Sequence, residues 1–204
     1  MPTPERLQRM RDVLLRRQDD FDVVLENIHD AHNASAILRT CDGLGVAAVH
    51  LLYTDEVFPK ISNGVSVHAA KWLAMRRHTD PSACVTALHA GGRKVYATVM
   101  EPGVVNYLDV DWTQPSAVVF GNESRGCSAE FVALADARIA IPMQGMAQSF
   151  NVSVAAGIIL AEAYRQRWRC GRYSRPWSAA LQARLEAWIV RDAPWDAAAA
   201  DPSP

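Results

Sequence analysis

The 204-residue chain has no apolar stretch near the roughly 20 residues that a membrane-spanning helix requires. Its longest apolar region, residues 152–163, has the length of a core helix and contains Ser153, so no membrane span is expected. The first 17 residues carry five arginines but neither an apolar h-region nor a small-residue cleavage site, and a soluble, cytoplasmic protein is the expectation. Cys41, Cys84, Cys127 and Cys170 form no CxxC pair, so neither a zinc site nor a redox motif is read from them. No GxGxxG follows the first expected strand, and neither a GxxxxGK[ST] loop nor a GxSxG elbow occurs. Dinucleotide binding, P-loop chemistry and serine hydrolysis therefore lack their motifs. A net charge of −1 does not by itself suggest nucleic acid.

What is present is half apolar, enough for a substantial core. The charge is unevenly spread: residues 1–17 carry +3, residues 165–175 another +5, and the remainder −9. Guanidinium groups match phosphate oxygens bidentately, so two arginine-rich ends fit a polyanion, with solvated helix faces as the alternative. The pattern predicts a basic amphipathic helix over 4–18 with Leu7, Met10, Val13 and Leu14 on one side. Strands are expected at 21–25, 47–53, 94–99, 116–120 and 137–141, and helices at 33–44, 81–89, 151–169 and 178–190. A polar, irregular stretch containing Pro59, Asn63 and Gly64, and a frayed tail with Ala197 to Ala200, complete the reading. Alternating strands and helices imply an α/β fold, a mainly parallel sheet with helices on both faces. The expected organisation is a basic helix over 1–20, one domain over 21–175, and a short helix with a tail over 176–204.

Ligands of open parallel sheets bind beyond the carboxyl ends of strands. Three segments there combine strand ends with glycine or polar groups: Thr98-Val99-Met100-Glu101-Pro102-Gly103, Phe120-Gly121-Asn122-Glu123-Ser124-Arg125-Gly126, and the run from Ile141-Pro142-Met143 to Ser149-Phe150-Asn151. Taken singly, Gly121 and Gly126 read as turn glycines, and Asn33 and Asn151 as helix N-caps. Arg39 is harder to dismiss, because it lies amid an apolar helix and would need a partner if it faced inward.

Together these segments carry a resemblance. Asn33-Ala34-Ser35-Ala36-Ile37-Leu38-Arg39-Thr40-Cys41-Asp42-Gly43-Leu44-Gly45-Val46 is similar to the first motif of the TrmH-type SPOUT methyltransferases. Gly121-Asn122-Glu123 with Gly126 is similar to their second motif, and Ile141-Pro142-Met143 through Ser149-Phe150-Asn151-Val152-Ser153-Val154-Ala155 to their third. The segments Arg6-Leu7, Val13-Leu14-Leu15-Arg16-Arg17-Gln18 and Asn27-Ile28-His29-Asp30-Ala31-His32-Asn33 resemble the subgroup that methylates the ribose 2′-hydroxyl of guanosine 18 in the tRNA D-loop.

The resemblance implies a C-terminal deep trefoil knot, which general topology rules alone would argue against. It implies S-adenosyl-L-methionine as cofactor, held by loops at Thr98, Gly121, Ile141, Met143 and Phe150, and it implies no metal. The family gives Arg39 the central catalytic role, assisted by a substrate phosphate. Arginine is hardly deprotonated in proteins, so the physical alternative is that Arg39 holds the phosphate and stabilises the developing alkoxide. Asn33, Glu123, Ser149 and Asn151 match the other active-site positions. Arg6, Arg9, Arg17, His32, Arg165, Arg167 and Arg172 are the expected RNA contacts, and a homodimer through the knot helices is implied. Asn122 and Ser124-Arg125 vary the second motif, Phe150 replaces the usual leucine, and the extension after Tyr173 is short beside well-known relatives, which implies fewer RNA contacts. An rRNA ribose methyltransferase of the same superfamily, a catalytically silent RNA-binding member and a nucleotide-binding α/β protein without methyl transfer remain alternatives. A single arginine-rich helix in place of a separate N-terminal RNA-binding domain favours tRNA over the first.

Overall fold

The computed structural model describes residues 2–59 and 67–191. The stretch with Asn63 and Gly64 and the expected frayed tail lie outside the described residues. In chain order the helices and strands are α1 (Pro4–Arg16), β1 (Gln18–Glu26), α2 (Ala31–Gly43), β2 (Val46–Leu52), α3 (Val67–Ala70), β3 (Ala74–His78), α4 (Pro81–Ala90), β4 (Lys94–Thr98), β5 (Val105–Asn106), β6 (Ser116–Phe120), α5 (Ala129–Leu134), β7 (Ala137–Ala140), α6 (Val152–Arg169) and α7 (Ala179–Arg191). They fall into two compact units, Gln18–Arg172 and a terminal unit made of Met1–Arg17 with Tyr173–Pro204. The basic helix thus stops at Arg16, short of the expected 18, and the two chain ends expected as separate segments share one unit.

In the larger unit seven strands form one sheet in the order β3-β2-β1-β6-β4-β7-β5, and every pairing is parallel. All residues of β2 and β6 are buried, as a sheet covered on both faces requires. Successive β1 side chains point to opposite faces: Val23 and Leu25 join a core with Ile37, Leu38 and Cys41 of α2 and Ala156, Ile159 and Leu160 of α6. Val24 joins the other core, with Cys84, Val85 and Leu88 of α4 and Phe131 of α5. The α/β expectation therefore holds, with four elements added. The sequence reading lacked α3, β3, β5 and α5. β3, Ala74-Met75-Arg76-Arg77-His78, is a polar edge strand without apolar alternation, and edge strands carry charge that blocks pairing with other chains.

Helix ends decide where polar side chains point. Asp30, not Asn33, caps α2, its carboxylate accepting from His32 N at 2.7 Å, so the helix begins two residues earlier than expected and Asn33 turns inward in its first turn. Asn151 does cap α6, accepting from Ser153 N at 2.9 Å.

The amino edge of the sheet holds a surprise. Arg167, expected on the RNA-facing side, is fully buried near the end of α6. It donates to Trp112 O at 2.7 Å, Gln114 O at 2.9 Å, Gln18 Oε1 at 3.2 Å and Asp20 Oδ1 at 2.6 Å, and it lies over the Phe21 ring. Its donors are spent on the protein, so it cannot serve as an RNA contact from this position. Arg172 adds a bond to the other Asp20 oxygen at 2.6 Å. Burial works to raise the Asp20 pKa, but the Arg167 and Arg172 guanidiniums outweigh it and hold the carboxyl below the ordinary range.

In the terminal unit, Thr3 caps α1 by accepting from Arg6 N at 3.3 Å, with Pro4 at the first helical position. Met10 and Leu14 of α1 are buried, as are Leu181, Leu185 and Trp188 of α7, the helix with which it packs. Arg17 is a second correction: it is 1% exposed with its guanidinium over the Trp188 ring, a cation–π contact inside the unit rather than a hand extended to RNA.

Candidate active site at the carboxyl edge of the sheet

The loops that leave β4, β6 and β7 enclose an open cavity of about 1060 Å³, at the upper end of the roughly 300–1,000 Å³ usual for small-molecule sites. Thr98, Gly121, Ile141, Met143 and Phe150, the five positions expected to hold the cofactor, all line it. Thr98 spends its hydroxyl on Val119 O of the neighbouring strand at 2.8 Å, so its side chain braces β4 against β6. Phe150 is 42% exposed on the rim.

The loop after β6 has a physical need for its glycines. Asn122 and Gly126 bridge back to back, Asn122 N to Gly126 O at 3.0 Å and Gly126 N to Asn122 O at 2.8 Å. This fold-back lays the Gly126–Cys127 backbone against Gly121, where a Cβ would collide with main-chain atoms. Gly126 has φ +70°, the left-handed region. Asn122, one of the departures from the family motif, stitches the turn: its Oδ1 accepts from Ser124 N at 3.0 Å and Arg125 N at 3.2 Å, and its Nδ2 donates to Asn27 O at 2.8 Å. Asn27 itself has φ +49°, tolerated by asparagine, and its side chain exchanges bonds with Thr54 after β2.

Glu123 projects from this loop as a hub. Its Oε2 accepts from His29 N at 3.0 Å, and its Oε1 accepts from Asp30 N at 3.1 Å and Asn33 Nδ2 at 3.0 Å. Asn33 Oδ1 in turn accepts from Asn151 Nδ2 at 3.1 Å. One chain of hydrogen bonds thus joins the loop after β1, the start of α2, the loop after β6 and the cap of α6. Burial tends to raise the Glu123 pKa, but the bonds from Asn33 and the His29 and Asp30 amides outweigh it and keep it below the usual carboxylate range. Glu123 is therefore an anion that fixes two amide side chains at the rim. Glu123 and Ser149 line the cavity, while Asn33 stands one hydrogen bond and Asn151 two behind Glu123.

Sequence reasoning missed a second group on this rim. Glu56 accepts from Arg125 Nη2 at 2.8 Å and lies 2.9 Å from His29 Nδ1. Its sole sequence signal was an acid in a polar loop.

Arg39 is not in the network. It is exposed on the stripe His32, Ala36, Arg39, Gly43 of α2, does not line the cavity and has no hydrogen bond or ion pair among the described residues. Of the two orientations left open from sequence, Arg39 takes the solvent-facing one. Arg6, Arg9 and His32 are likewise exposed, and Arg165 is exposed while bonded to Glu162 by two contacts of 2.7 Å.

A parallel α/β sheet with a carboxyl-edge cavity and a Glu–Asn–Asn chain beside it defines a group-transfer or nucleotide-binding class of site. The family model described as the SpoU rRNA Methylase family matches residues 20–161, and the chain belongs to that family. It is 47% identical over 174 residues to the tRNA (guanosine(18)-2′-O)-methyltransferase of Thermus thermophilus, covering 85% of this chain and 89% of that protein. The solved structure of the A. aeolicus TrmH/SpoU tRNA modifying enzyme superposes with a TM-score of 0.87 at 42% identity, covering 93% of this chain and 97% of that one. The SpoU methyltransferase AviRb from Streptomyces viridochromogenes, solved in complex with AdoMet, is 31% identical with a TM-score of 0.65, covering 74% of this chain and 59% of that one.

Proposed function

We propose that this chain transfers a methyl group from S-adenosyl-L-methionine to the ribose 2′-oxygen of guanosine 18 in tRNA. The observation that carries the reading is the Glu123–Asn33–Asn151 chain of hydrogen bonds at the rim of a cavity lined by Thr98, Gly121, Ile141, Met143 and Phe150. The cavity fits the cofactor: Ile141, Met143 and Phe150 offer apolar surface for a purine, and ionised Glu123 offers negative charge for a cationic methionine end. When bound, the cofactor supplies an electrophilic sulfonium methyl.

The protein's own task is alignment, because in-line transfer requires the ribose oxygen to be held against that methyl. Asn33 and Asn151, fixed by Glu123, present oriented amides for this purpose, and Ser149 stands at the same rim. Arg39 acts electrostatically in this reading, holding a substrate phosphate and stabilising the negative charge that develops on the 2′-oxygen as its proton passes to water. Its exposure and lack of a partner among the described residues fit a group that waits for RNA. Arg6, Arg9, His32, Arg165 and Arg172 supply phosphate contacts, which position RNA without reading its bases. The C-terminal segment threads a knot and two copies pair through α6, where Val154 and Trp168 leave apolar surface 48% and 57% exposed. In such a dimer the arginines of one subunit serve the site of the other.

The test is to incubate the purified chain with labelled S-adenosyl-L-methionine and unmodified tRNA and to map the methyl group. Label on the ribose of guanosine 18 is expected. Label on a base, or only in rRNA, would sink the assignment.

A further inference from the structure

On the α4 side of the sheet, away from the cavity, three metal-binding side chains converge. His50 comes from β2, His78 from the end of β3 and Cys84 from the first turn of α4, and one ligand atom of each lies within 4.8 Å of the others. None of them lines the cavity. We propose that His50, His78 and Cys84 form a zinc-binding site that pins the edge strand β3 to β2 and α4.

Zinc with bonds of about 2.0–2.1 Å to nitrogen and 2.3 Å to sulfur places tetrahedral ligand atoms roughly 3.3–3.7 Å apart. His50 Nδ1 and His78 Nε2 stand 2.9 Å apart, and the whole set spans no more than 4.8 Å, so shifts of about 1 Å close the geometry. Three protein ligands leave a fourth position for water, and His78 is partly exposed.

A carboxylate stands behind His50. His50 is fully buried and its Nε2 has no hydrogen-bond partner among the described residues, and Asp22 is 1% exposed. The two face each other, His50 Nε2 lying 3.8 Å from Asp22 Oδ2, whose ionic partner is Arg93 Nε at 2.8 Å. A cation on His50 Nδ1 directs the remaining N–H at Asp22, the carboxylate–histidine–metal arrangement that orients such ligands.

The charges agree. Asp22, Glu26 and Asp80 act on the cluster against Arg93 and Arg76, an excess of one negative charge, and the Cys84 thiolate makes two. A divalent ion neutralises that excess. Binding forms the Cys84–metal bond and releases the thiol proton to solvent.

The experiment is titration of the full chain, stripped with chelator, with Co²⁺ and then Zn²⁺. Expected are one equivalent of Co²⁺ giving a thiolate-to-cobalt charge-transfer band and tetrahedral d–d bands, displacement by Zn²⁺, and a raised thermal midpoint with Zn²⁺. Cys84→Ser removes the charge-transfer band, His78→Gln weakens Zn²⁺ binding tenfold or more, and Cys170→Ser changes neither. Because Cys84 is fully buried, His78→Gln on its partly exposed side chain gives a reading that does not depend on refolding of the core. Absence of saturable Co²⁺ binding, or binding kept in His78→Gln and lost in Cys170→Ser, overturns the proposal.

Discussion

The two ends of α6 use polar side chains in opposite ways. At its start, Asn151 caps the helix and also reaches Asn33, placing a polar chain at an open rim beside the cavity. Near its end, Arg167 is sealed in the interior and its bonds are all to the protein. The same helix therefore supplies a polar cap at the carboxyl edge of the sheet and a clamp at the amino edge. In the proposed function, stability and chemistry are separated by the length of one helix, and Arg39, exposed on α2, is proposed to serve the second.

Arg167→Ala should cause the largest loss and break the clamp alone. Removing one partner of a buried ion pair costs about 3–5 kcal/mol, and here two carbonyls lose their donor while Asp20, partly exposed, keeps only Arg172. Denaturant unfolding checks it; a loss under about 1 kcal/mol would mean that water replaces the guanidinium. Arg39→Ala should do the reverse, lowering methyl transfer by roughly a hundredfold or more in single-turnover assays. Its unfolding free energy should stay within about 0.5 kcal/mol of the parent, as for surface positions, and cofactor binding should survive. Loss of cofactor binding would show that the arginine acts on the cavity itself.

Gly121→Ala should cost about 1–3 kcal/mol, because the new methyl meets backbone that cannot give way, and it should distort the turn that carries Glu123. Cofactor titration of the folded fraction would show weakened binding. Glu123→Gln sharpens the comparison through pH. The folded Glu123 pKa is lowered, so its contribution is fully present above the unfolded carboxylate value and is lost as pH falls through the folded one. The stability gap between parent and variant should thus be widest at neutral pH and close in acid; a gap that widens in acid would reverse the assigned shift. Arg165→Ala should have the smallest effect, leaving unfolding unchanged while reducing the slope of log tRNA affinity against log salt by up to about one unit. An unchanged slope would mean that Arg165 serves only Glu162.

Much of this was legible in the chain. The strands at β2, β6 and β7 announced themselves through apolar runs, and the cap at Asn151 through residue type. Asn33 was legible as polar at a helix start, but the cap reading of it fails, because Asp30 takes the cap and frees Asn33 to turn toward Glu123. β3 escaped because an edge strand needs no apolar face, and Arg167 was misassigned because a run of arginines looks the same whether its members face solvent or a hydrogen-bonded interior.

The sequence by itself determined the alternation of strands and helices, the three ordered motifs and the family they indicate. Periodicity and short motifs are local properties, written within a few residues of one another. Only the tertiary structure decided which arginine is buried, which asparagine meets Glu123 and which histidines face Cys84. Those partners lie 90 residues apart for Asn33 and Glu123 and 147 for Arg167 and Asp20, and nothing short of the folded chain brings them within hydrogen-bonding range.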